Sequence, residues 1–201
     1  MTWIKTLSYD EADDRLRKLY DRVKGEDGQV DRILQAHGLR PHSLQGHMTL
    51  YKNVLHHSGN TLPRWLLEAL GVYVSILNGC RYCVDHHYQG MMRLLADETR
   101  STAIAAALEE GVPERVFSGR ELALIRYAER LTLDPRHVDE ALVATLKDEG
   151  LDDGEILEAN QVIAYFAYAN RTVLGLGVRT DGERLGLAPV STEDPEDWGH
   201  R

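Results

Sequence analysis

From Arg64 to Leu77 the chain is apolar on nearly every side, and a helix with no polar face must lie inside a bundle. Thr61 is suited to cap that helix, and Pro63 falls in its first turn, where a missing N–H costs little. The fold is therefore expected to form around this element. Its polar exceptions, Glu68 and Ser75, share one stripe with Gly71 and Val72, so a carboxylate is aimed at a particular place from a largely apolar rod.

The remaining segments also read as helices punctuated by caps, with no alternating pattern that would indicate a sheet. Ser8 and Glu11 predict a capping box for a helix ending near Val23, closed by Gly25-Glu26-Asp27-Gly28. Shorter or longer helices are expected from Val30 to His37, Ser43 to His57, Cys80 to Leu95, Asp97 to Leu108, Ser118 to Leu131 and Val138 to Lys147. A last one should begin near Asp152, boxed with Glu155, and reach Leu174. We expect a single all-α unit at 31–180, preceded by a helical extension at 1–30 and followed by a tail at 181–201, of which about the last ten residues dock on a neighbour or stay mobile.

A chain of 201 residues can bury a sufficient core without disulfide staples, so its only two cysteines, Cys80 and Cys83, need another explanation. Met1-Thr2-Trp3-Ile4-Lys5 runs straight into charged residues with no apolar leader, and no apolar run approaches the roughly 18 residues of a membrane span. A soluble, cytoplasmic protein is expected, and in a reducing compartment a Cys-x-x-Cys pair is more often catalytic or metal-binding than structural. The formal charge of −9, without a basic block, argues against a nucleic-acid partner.

On a helix at about 100° per residue, Cys80, Cys83 and His87 share one face, while Arg81 and Tyr82 point elsewhere and His86 lies at the margin. Residues three apart on a helix are close enough to form and break a disulfide without large backbone movement. In the first turn of a helix, both cysteines would meet free N–H groups that favour thiolate. A thiolate can attack a peroxide oxygen and a second thiol can then close the disulfide, with His87 and Glu68 moving the protons.

These residues carry a resemblance. Glu68, eleven residues, Cys80-x-x-Cys83, three residues and His87 is similar to the active-site signature of the alkylhydroperoxidase D-like branch of the carboxymuconolactone decarboxylase superfamily. The string Leu77-Asn78-Gly79-Cys80-Arg81-Tyr82-Cys83-Val84-x-His86-His87 resembles its peroxidase-related members, and the likeness runs from about Ile33 to Val178, including Ala164-Tyr165-Phe166 and Asn170-Arg171. The resemblance implies an alkylhydroperoxidase D-like helical bundle that assembles as a dimer, trimer or hexamer. It further implies Cys83 as peroxidatic thiol, Cys80 as resolving thiol, and Glu68 with His87 as proton relay. Tyr82 departs from the pattern, because characterised members carry a histidine directly before the second cysteine.

The expected activity is reduction of a hydroperoxide through a dithiol/disulfide cycle, with no cofactor and no metal, recharged by an external dithiol because no flavin, haem or nucleotide motif is present. The alternatives are a non-catalytic helical oligomer, a redox sensor, or a zinc site. For zinc, Cys80 and Cys83 with His86 or His87 supply three of the four ligands a closed site needs. Outside the motif, Tyr82 is expected in the core or at an interface, Ser75 bonded back to its own helix, and Asn170-Arg171 satisfying carbonyls or touching a second subunit.

Overall fold

The computed structural model describes residues 2–200, and these form an all-helical bundle. Its helices are α1 (Asp14–Val23), α2 (Arg32–Ala36), α3 (Pro41–Leu55), α4 (Arg64–Leu77), α5 (Arg81–Leu95), α6 (Glu98–Glu109), α7 (Gly119–Leu133), α8 (Glu140–Asp148) and α9 (Asp153–Leu176), with 3-10 turns at Pro113–Arg115 and Pro135–His137. The only extended pairing among the described residues is two isolated bridges, His57 with Thr192 and Pro189 with His200. No helix among them is long and apolar enough to cross a membrane.

The apolar α4 is the axis. It buries every residue from Leu66 to Ser75 and packs on α5, α9, α7 and α6. Gly71 lets α9 come close, since a Cβ there would sit 2.2 Å from the Phe166 ring. Phe166, Val162 and Ala159 supply the facing apolar stripe of α9, which starts from the Asp152–Glu155 capping box and ends at Gly177 with φ of 64°.

Several boundaries differ from the sequence expectations. Pro63, not Thr61, is the cap residue of α4, and the Thr61 N–H and hydroxyl donate to the Glu158 carboxylate instead. Helices α2, α3 and α8 each start two residues from the expected position. Ser8 and Glu11 do exchange the two bonds of a box, Ser8 N–H to Glu11 Oε2 at 3.0 Å and Glu11 N–H to Ser8 Oγ at 3.3 Å, but the backbone there only turns. The helix begins at Asp14, where Asp13 accepts from the Leu16 N–H at 2.8 Å and takes over as cap. Similarly, α5 starts one residue late. Gly79, with φ of 71°, turns the chain so that Cys80 becomes the cap residue of the helix, outside its first turn.

The segment expected as a tail folds back on its own chain. Trp198 is 1% exposed, its indole N–H bonds to the Pro195 carbonyl, and Arg22 stacks on its ring at 3.7 Å. Buried Lys52 on α3 donates to the Val190 carbonyl and to the Thr192 hydroxyl, so the segment satisfies a charge that α3 carries inward. Leu187 and Ala188 are buried, and Gly186, with φ of 77°, lies so close to α5 that a Cβ would meet Gln89 at 2.6 Å. The segment thereby becomes a wall over α3 and α5.

Candidate active site

Helices α4 and α5 hold the expected site residues. The Glu68 carboxylate, 3% exposed, accepts a 2.7 Å hydrogen bond from Nδ1 of His87. Gly90 makes room for it, since a Cβ at that position would lie 3.0 Å from Glu68 Oε1. The His87 ring is fixed edge-on to Phe166, with centroids 4.5 Å apart, and edge-on to Tyr51 at 6.1 Å. Because Nδ1 is committed to the carboxylate, Nε2 is the nitrogen left to exchange a proton.

Cys80 and Cys83 are both reduced, buried, and 2.8 Å apart between sulfurs. That contact is close enough to share a proton and lies well outside the roughly 2.05 Å of a disulfide bond. Contact with Cys83 lowers the Cys80 pKa, and this outweighs the opposing effect of burial. The Cys83 backbone amide also favours the Cys80 thiolate, although it lacks the alignment of a full cap hydrogen bond. Burial pushes the Cys83 thiol well up, and the neighbouring Cys80 adds to the rise. The expectation that both cysteines gain from the helix N-terminus is therefore corrected: as cap residue Cys80 takes the benefit, while Cys83 is too deeply buried to keep it. The pair loses its protons as a unit, with the first negative charge centred on Cys80.

Asn170 of α9 also stabilises charge here. Its side-chain amide favours the thiolate of either cysteine, and its Nδ2 donates to Ser75 Oγ at 3.0 Å, while Asn78 donates to its Oδ1 at 3.0 Å. Ser75 in turn donates to the Gly71 carbonyl at 2.7 Å, as expected of a helical serine. Asn170 is completely buried against the cysteines, whereas the sequence placed it among carbonyl-satisfying or subunit-contacting residues.

Cys83, Glu68 and His87 line one partly open cavity of about 40 Å³, lined also by His47, Tyr51, Tyr165, Asp31, His86 and residues 186–188 and 200 of the folded-back segment. That space is enough for a few water-sized molecules. Cys80 does not line it; Cys80 borders a separate depression, with Gly79, Arg81, Val84 and Glu109. The two cysteines thus border different hollows.

Tyr82 lies between His86, whose ring it stacks on at 4.5 Å, and Glu183, to which its hydroxyl donates at 2.7 Å. Burial pushes Asp31, beside them, up to about 7, with the charge of His86 pulling the other way. Burial lowers His47 to about 3 and His200 to about 4, so both imidazoles stay neutral inside the wall. Sequence spacing could not find Asp31 or His200, which reach the cavity from distant loops, or Glu183, which meets Tyr82 and His86 behind it. Among the described residues, neither cysteine gathers with two other metal-binding side chains; the trio that does is Asp31, His86 and Glu183.

Residues 41–130 match the model of the Carboxymuconolactone decarboxylase family. The fold is shared with a peroxidase-related protein from Silicibacter sp. TM1040, at 20% identity over 89% of this chain and 91% of that one, TM-score 0.75. It is shared equally with an alkylhydroperoxidase AhpD core, a peroxidase-related protein from Ralstonia eutropha JMP134, at 19% identity over 89% and 91%, TM-score 0.76. A cysteine-to-alanine variant of the debrominase Bmp8 in complex with 2,3,4-tribromopyrrole is similar at 18% identity over 89% and 91%, TM-score 0.68. No curated protein matches the chain.

Proposed function

We infer that this chain, whose 41–130 segment is that of the Carboxymuconolactone decarboxylase family and whose helices take the alkylhydroperoxidase D-like arrangement, is a thiol peroxidase. One observation carries the reading: a reduced dithiol with sulfurs 2.8 Å apart presents Cys83 to a cavity that also holds a hydrogen-bonded Glu68–His87 pair.

Of the two thiols Cys80 is the readier to ionise, so the first proton lost by the pair leaves its charge there. When a hydroperoxide enters the cavity it meets Cys83, whose proton passes to Cys80 across the short contact. The Cys83 thiolate attacks the outer peroxide oxygen, an S–O bond forms, the O–O bond breaks, and the alkoxide takes a proton from the His87–Glu68 pair. Cys80 then attacks the sulfenic sulfur and the S–O bond breaks. The departing hydroxide takes the Cys80 proton, so one alcohol, one water and one disulfide result from one hydroperoxide and two thiols. His87 recovers its proton when an external dithiol reduces the disulfide by exchange, and the depression beside Cys80 is the approach we assign to it.

The small cavity favours hydrogen peroxide and short alkyl hydroperoxides. Assembly as a homo-oligomer belongs to the same proposal, supported by Leu157, Tyr168 and Leu174 left exposed on α9. Mass measurement after treating the reduced protein with a short alkyl hydroperoxide tests the reading. Loss of two hydrogens, reversed by dithiothreitol and repeated over many turnovers, is the expected result. Thiols that stay fully titratable under excess peroxide would overturn it.

A further inference from the structure

Asp31 caps α2, His86 lies on α5, and Glu183 belongs to the folded-back segment, yet one ligand atom from each lies within 4.8 Å of the other two. We propose that this trio binds one divalent transition-metal ion of the zinc or manganese kind, independently of the cysteines.

Three buried atoms argue for it. Asp31 Oδ1, His86 Nε2 and Glu183 Oε2 are all hidden from solvent and have no hydrogen-bond partner. His86 Nε2 comes within 3.0 Å of Glu183 Oε1 but off the line a hydrogen bond requires, so the contact does not satisfy it. Two carboxylates enclosed together repel each other, and an unpartnered imidazole nitrogen beside them is a further unmet acceptor or donor. A dication between the three answers all of these at once. One nitrogen and two carboxylate oxygens suit zinc, manganese or iron(II), and are poorly matched to soft copper(I) or to the all-oxygen preference of calcium.

The surroundings are those of an oriented ligand set. Tyr82 donates to Glu183 Oε1 at 2.7 Å while accepting from the Ile33 N–H at 3.2 Å, and its ring holds the His86 plane by stacking. Asp31 and His86 also line the cavity shared with Cys83, so a bound ion would keep an open position toward it. Arg32 is the competing cation, with Nε 3.3 Å from Glu183 Oε2, but its side chain is 28% exposed and has solvent to turn into. The ion would tie α5 and the start of α2 to the segment that walls the cavity.

The test uses untagged, chelator-treated full-length protein titrated separately with zinc, manganese and cobalt(II) chlorides. We expect one equivalent of zinc or cobalt per chain, a raised melting temperature, and a cobalt spectrum without thiolate charge-transfer absorption. Substituting both cysteines by serine should leave that binding unchanged, whereas His86→Gln, Asp31→Asn or Glu183→Gln should weaken it by roughly tenfold or more. Arg32→Gln should tighten it. Absence of saturable binding by all three metals, a thiolate band in the cobalt spectrum of the native protein, or loss of binding with the cysteines would each overturn the proposal. The spectrum decides even if a ligand variant fails to fold.

Discussion

Glu68 on α4 accepts a 2.7 Å hydrogen bond from His87 on α5, and this bond ties the most buried helix of the bundle to the helix that carries both cysteines. Glu68→Gln keeps the shape but removes the charge that holds His87 ready to carry a proton. Peroxide reduction should fall roughly 100-fold, within the range for loss of an acid–base group, while the helical circular-dichroism signal stays native. An unchanged pH–rate profile would remove Glu68 from the relay.

Gly90→Ala acts on the same pair from the other side. A Cβ 3.0 Å from Glu68 Oε1 is tighter than ordinary packing, so the carboxylate must shift away from His87. Turnover should drop by roughly tenfold through loss of proton transfer. The His87 imidazole resonances in NMR should move with it; native resonances and native rates together would show that the carboxylate tolerates the methyl.

The two cysteines should fail differently. Cys83→Ser is expected to abolish peroxide consumption, because Cys80 does not reach the cavity. Cys80→Ser should allow a single oxidation, seen as the gain of one oxygen by mass, followed by inactivation. Sustained turnover by either variant would refute the assigned roles.

Asn170→Ala removes a donor that favours thiolate at both sulfurs and leaves Ser75 Oγ without that partner. The pH dependence of alkylation by iodoacetamide should move to higher pH, and stability should fall by about 1–3 kcal/mol. A shift in stability alone would make Asn170 purely structural.

His47 reports on acid stability. Burial first, then the nearby His37 and His200 imidazoles, lower its pKa to about 3 in the folded protein, against 6.5 for a free histidine. A depressed folded pKa means that stability is intact above pH 6.5 and is lost as pH falls toward 3, since only the unfolded chain takes up the proton in that window. The stability lost by pH 4 is about 3 kcal/mol. His47→Gln should reduce the gap between urea midpoints measured at pH 7 and pH 4; an unaltered gap would assign the acid sensitivity to other groups.

Much of this architecture can be read along the chain because its signals are local. Asp152 and Glu155 cap α9 as their spacing predicts, and the all-apolar α4 has nowhere to go but the centre. The Ser8–Glu11 box shows the limit: its hydrogen bonds form, yet Asp13 sets the helix start. At the site, Glu68, Cys83 and His87 share a cavity because one helix pair carries all three at periodic spacing. The partition of charge between the sulfurs was not readable, since it depends on a left-handed turn at Gly79 and on Asn170, ninety residues away in sequence from Cys80. Asp31 and Glu183 are further still from any periodic pattern, brought together by a segment whose composition alone suggested a loose end.

That returning segment makes the boundary at residue 180 a poor place to cut the gene. A fragment ending there would lose Leu187, Ala188 and His200 from the roof of the cavity, leaving His47, Tyr51 and His86 open to bulk water, and would strip Lys52 of the carbonyl it donates to. Such a truncate would keep every residue of the cysteine motif and still present the sulfurs to a different solvent. Screens for the substrate therefore belong on the whole chain, with any purification handle placed at the other end.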